Sequence, residues 1–141
     1  MKTSSVDHLA NTWLLANLIQ AVLLVAYAMA QLPMSYVLFP VILFCLAGLV
    51  FSIPAFVAGY FCLDLVADAH LPLNTRFLVW LIVCPTIVLV EGIICFPVFH
   101  IEGLSSLIFC APGIAAAFLA VLFRYKAFIM LASRNERKEI T

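Results

Sequence analysis

Residues 77–98 read FLVWLIVCPTIVLVEGIICFPV, and the reading of this stretch decides the fold. It is apolar over a length that, at about 1.5 Å per residue, carries a helix across a hydrocarbon core of about 30 Å. It nevertheless contains Glu91, and no other charge lies so deep in an apolar run of this chain. A carboxyl in hydrocarbon is costly unless it is protonated, paired or turned toward water, so an intramembrane acid marks a candidate functional site.

Working outward, three further apolar runs of similar length cover residues 9–32, 36–63 and 104–123. Across all 141 residues the hydrophobic content is 67%, the charged content 10% and the mean hydropathy +1.22, values far outside those of a soluble domain. The expected fold is therefore all-α: a single integral-membrane domain over residues 1–141, built as an up-down four-helix transmembrane bundle with an interfacial extension over 124–141. The connecting segments are too short to hold a soluble domain.

Orientation follows from Lys2, Arg76, Arg124, Lys126, Arg134, Arg137 and Lys138. With four crossings, all of them fall on the side shared by the N-terminus, the second loop and the C-terminus. The positive-inside bias then puts both termini in the cytoplasm and the chain in the cell membrane as a multi-pass protein. Lys2 followed by an apolar run reaching Ala28-Met29-Ala30 also resembles a signal peptide. The run is longer than a signal core and contains Asn17 and Gln20, which favours a retained first helix.

Within that first run Trp13, Asn17, Gln20, Leu24, Tyr27 and Gln31 recur at spacings of four and three, so they share one stripe. Amide side chains in lipid need partners, and the stripe is expected to face other helices, or to line a pore or substrate route. The second run carries Cys45, Gly48, Ser52, Ala55, Gly59 and Cys62 on one face. Small residues of this kind let backbones approach closely. The fourth run repeats the pattern with Gly103, Ser106, Cys110, Gly113, Ala117 and Ala120.

Pro54 and Pro112 interrupt these two runs, and a kink or a local water site is expected at Pro54. Each position in the fourth run is displaced by 58 from its counterpart in the second, as Pro112 is from Pro54. That offset suggests two related hairpins, although the first and third runs do not align.

Glu91 is expected roughly 10 Å inside the outer boundary. Tyr27 is its best-placed hydroxyl partner, Ser105 and Ser106 lie nearer the surface, and Arg76 sits at the opposite end of the same helix. Three roles follow for Glu91: a structural donor to a neighbouring helix, a proton or cation site in a transport path, or a contact to a basic residue on another subunit.

The remaining polar residues carry less. Asp64, Asp68 and His70 fit a solvated helix end better than a metal site, and His8, His100 and Glu102 show no ligand spacing. No metal and no cofactor is expected. The five cysteines, Cys45, Cys62, Cys84, Cys95 and Cys110, form no CxxC pair and read as small apolar packing residues. Ser52, Ser105 and Ser106 have no histidine at the same level, so no catalytic constellation is formed. Phosphate loops and basic nucleic-acid surfaces are absent, which leaves nucleic acid out of the expected partners.

Beyond residue 123, Arg124 and Lys126 are expected to snorkel while Phe128, Ile129 and Leu131 remain apolar, the helix continuing along the cytoplasmic interface into a charged tail. The expected function is non-enzymatic: a membrane module acting by assembly, either as a homo-oligomeric pore or sensor or as the membrane subunit of a larger complex. Its expected partners are membrane lipids together with further copies or other protein subunits. A small transporter or an ion or proton channel using Glu91 is the alternative, and an enzyme acting on lipid or quinone comes third.

Overall fold

The computed structural model describes the backbone of residues 5–31, 42, 46, 48–95 and 104–139, and the side chains within these except at 28, 31, 95, 104–109 and 134–139. All its elements are helices: α1 (Ser5–Gln31), α2 (Ile53–Ala67), α3 (Leu73–Cys95), α4 (Leu104–Phe123) and α5 (Tyr125–Glu139). Among the described residues there is no strand. Cys45, Gly103, His100 and Glu102, and the side chains of Cys95, Ser105 and Ser106, lie outside what is described.

Among the described residues two helices, α1 and α3, are long and apolar enough to cross a membrane. Both begin four residues before the apolar runs that announce them, at Ser5 and Leu73. Hydropathy marks where a segment suits lipid, whereas a helix starts where its backbone ladder starts, so polar first turns extend it. With 15 residues α2 is shorter, because the helical residues 48–51 meet it at a turn on Ser52. The fourth run, 104–123, coincides with α4, after which the chain bends by 60° into α5.

Helices α1 to α4 pack side by side in chain order, with α4 returning to α1; diagonal partners scarcely touch. The small faces of α2 and α4 receive side chains from α1 and α3. A Cβ built on Gly59 would stand 3.4 Å from Leu9 Cδ1 and 4.0 Å from the Trp80 ring. One built on Gly113 would stand 3.3 Å from Val88 Cγ1 and 3.7 Å from Gln20 Nε2. Ala116, Ala117 and Ala120 are buried along the same side of α4.

The core lies at the end where α1, α3 and α5 begin and α2 and α4 finish. Leu9, Leu63, Phe77, Trp80, Val121, Phe128, Leu131 and Ala132 form one cluster drawn from all five helices. Phe77 stands edge-on to Tyr125 at 4.6 Å and to Phe128 at 5.8 Å between ring centroids. Phe128 and Leu131, expected to remain apolar along the interface, are buried in protein. The reason is periodicity: Phe128, Leu131 and Ala132 share one helical face, and the bend at Arg124 swings that face onto α1 and α3.

Polar ties close the same end. Arg76, 5% exposed, donates from Nε to the Leu71 carbonyl at 2.7 Å and from a terminal guanidinium nitrogen to the Ala67 carbonyl at 2.9 Å. A cation thus holds the C-terminal end of α2, where the helix dipole favours it. Ser5 Oγ donates to Asp64 Oδ1 at 3.1 Å, fastening the start of α1 to α2.

Candidate functional site

The site begins with a break in a helix. Pro54 has no N–H to give the Val50 carbonyl, and Ser52 adopts φ −83° and ψ 2°, so the chain turns before α2 sets out. Ladder bonds persist on both sides, from Ser52 N–H to Gly48 at 2.9 Å and from Phe56 N–H to Ser52 at 2.9 Å. Ser52 occupies the N-cap position, yet its hydroxyl does not cap α2. It donates instead to the Leu49 carbonyl at 3.2 Å and accepts Trp13 Nε1–H at 3.0 Å.

The acceptor missing from that helix start comes from α3. Ala55 N–H, in the first turn of α2, donates to Glu91 Oε1 at 3.3 Å. The carboxyl lies at the positive end of the α2 dipole, where a negative charge is best tolerated. Among the described residues no cation pairs with Glu91, and the Ala55 amide is its one hydrogen-bond partner. Tyr27, the hydroxyl expected to meet it, is 69% exposed on α1. The sequence offered no sign of Ala55, because a backbone amide becomes available only through the break.

Glu91 also lines a groove of about 560 Å³ between α2 and α3. Its walls are aliphatic, from Pro54 and Ala58 on one side to Ile82, Ile87 and Val90 on the other, and the groove is open to the surroundings. Thr86 adds a hydroxyl that is committed to the Ile82 carbonyl at 2.8 Å. Among the described residues, Glu91 is therefore the only ionisable group of the groove.

The polar stripe of α1 divides between packing and a second, smaller notch. Trp13 ties α1 to Ser52 and stands edge-on to Phe56 at 5.5 Å. Asn17 donates to its own helix, to the Trp13 carbonyl at 2.9 Å, and Gln20 packs beside Gly113. Asn17, Gln20, Leu24 and Gly48 line a notch of about 240 Å³, and no described atom lies within 4 Å of where a Gly48 Cβ would stand.

Away from both cavities, Lys126 is exposed and Arg124 half-buried at the bend. Cys62, Cys84 and Cys110 are free thiols. Among the described residues no group of three His, Cys, Asp or Glu could hold a metal ion. His8, unremarkable as sequence, is fully buried against Phe128, with ring centroids 6.1 Å apart. Neither of its ring nitrogens has a hydrogen-bond partner among the described residues, nor has Trp80 Nε1 or Arg124 Nε.

Fold and site together define an all-helical protein with two helices suited to crossing a membrane and a carboxyl presented in an apolar groove between helices. Compared with known proteins, the chain matches no family model, no curated protein and no solved structure.

Proposed function

We propose that this chain is a non-enzymatic, four-span protein of the cell membrane, both termini cytoplasmic, that works by assembly. It does so with copies of itself, as a pore or sensor, or as the membrane subunit of a larger complex. Four crossings are supported by the side-by-side packing of α1 to α4, with the helical residues 48–51 lengthening the second span beyond α2. The placement of Lys and Arg supports the orientation.

The observation that carries assembly is the notch at Gly48. Glycine in a lipid-facing helix gives up side-chain contacts, and it is useful where another backbone comes close. At Gly48 no described neighbour does so, and two amide side chains, of Asn17 and Gln20, line the same hollow. A helix from another subunit seated there would fill it. The test is the mass and composition of the particle extracted from its own membrane into a native-like disc. A homo-oligomer that dissociates in Gly48→Leu carries the self-assembly reading, co-purifying chains make it a subunit, and a lone wild-type monomer sinks both.

The position of Glu91 beside a broken helix favours a second reading, a small transporter or an ion or proton channel. Interrupted helices supply the unpaired backbone groups that transport sites use. Proton or cation flux in proteoliposomes, lost in Glu91→Gln, is the expected result on that reading; undiminished flux removes it.

A further inference from the structure

The groove between α2 and α3 combines three properties that together select a ligand. At about 560 Å³ it falls within the range of small-molecule sites, about 300–1,000 Å³. Its walls are aliphatic, with Pro54, Ala58, Ile82 and Val90 among them, so they suit an apolar body. Among the described residues its one ionisable group is Glu91, and no cation stands beside it.

An inorganic cation does not suit this donor set. Calcium takes six to eight oxygens and magnesium a near-octahedral shell, whereas the groove brings one carboxyl and a Thr86 hydroxyl already committed to its own helix. A small ion would keep its water and gain little from aliphatic walls. A large organic cation, whose charge is diffuse and weakly hydrated, loses little on leaving water and gains from burying its body. Among the described residues the lining contains no aromatic ring, so recognition of the charge falls there to Glu91.

We infer that the groove between α2 and α3 binds a lipophilic organic cation, its apolar body along Ala58, Ile82 and Val90 and its charge against the Glu91 carboxylate. The Ala55 N–H, itself in the lining, holds one carboxylate oxygen, so Glu91 is anchored there and oriented by α2. The groove is open, so such a ligand has access to Glu91 without any helix moving. The inference depends on neither reading above, since a pore, a sensor, a subunit or a transporter could each carry the site.

The experiment uses the full chain in lipid discs with tetraphenylphosphonium as probe, measured against empty discs. The expected result is a saturable component with one site per chain. Glu91→Gln retains an acceptor for the Ala55 amide and is expected to keep its helicity while binding at least about tenfold more weakly. Ala58→Phe, which fills the groove at an exposed position and leaves Glu91 in place, is expected to abolish the saturable component. Unchanged binding in either folded variant, or no saturable component in wild type, overturns the inference. If Glu91→Gln does not fold, Ala58→Phe decides alone. Particle mass is read separately, so failure here is distinguishable from failure of the assembly reading.

Discussion

Two regions of this molecule handle the same membrane-like composition in opposite ways. At the end where α1 starts, five helices interdigitate large side chains, and Trp80 and Phe128 are sealed from any solvent. At the level of Glu91, by contrast, α2 has only just begun, and the space beside it stays open as a groove. The difference arises from two local features, the bend at Arg124 that folds α5 over one end and the break at Ser52-Pro54 that shortens α2 at the other. Closely packed regions tolerate little change of volume, while open ones tolerate it at no cost to the fold.

Substitutions can break or sharpen that contrast. The largest effect is expected in the sealed region, where Phe128→Ala removes a ring packed against Phe77 and His8 and costs about 3–5 kcal/mol in unfolding experiments. Phe123→Ala, five residues away but 73% exposed, is the control and should stay within about 0.5 kcal/mol. Equal losses from the two would show that α5 does not dock as described.

Arg76→Gln comes next. It removes a buried cation that holds the Ala67 and Leu71 carbonyls, at an expected cost of about 2–3 kcal/mol, and increases hydrogen exchange at the end of α2. A local rise in exchange without loss of global stability would confine the role of Arg76 to the loop.

At the groove, Glu91→Leu leaves the Ala55 N–H without its acceptor and is expected to cost about 1–3 kcal/mol, whereas Glu91→Gln should cost less than about 1 kcal/mol. Comparing the two by thermal unfolding separates the hydrogen bond from the charge. Equal behaviour would mean that the Ala55 contact contributes nothing.

The smallest effect is expected at Gly48. Gly48→Ala meets no described neighbour and gains up to about 1 kcal/mol of helix propensity within the monomer. At Gly113, where the new Cβ would stand 3.3 Å from Val88, the same gain is offset by crowding. Stability rising in the first variant and not in the second is the pattern expected in detergent-solubilised monomer.

Much of the architecture was legible because hydropathy acts locally and additively. The run 104–123 became α4 with the same bounds, and the stretch around Glu91 lies within α3. Proline was less readable. Pro112 and Pro85 sit inside continuous helices, while Pro54 follows a turn, although Pro54 and Pro112 share the 58-residue offset. A proline removes one donor in every case; whether the helix also breaks depends on what its neighbours offer, here Trp13 to Ser52 and Glu91 to Ala55.

The sequence by itself determined that the chain is helical, suited to a membrane, and marked by one acid deep in an apolar run, because composition and periodicity carry these properties residue by residue. Only the tertiary structure decided that Glu91 meets a backbone amide instead of Tyr27, that Phe128 and Leu131 belong to the core, and that His8 is sealed inside it. Each depends on the direction in which one helix leaves a break or a bend, and such directions are set by contacts between residues far apart in the chain.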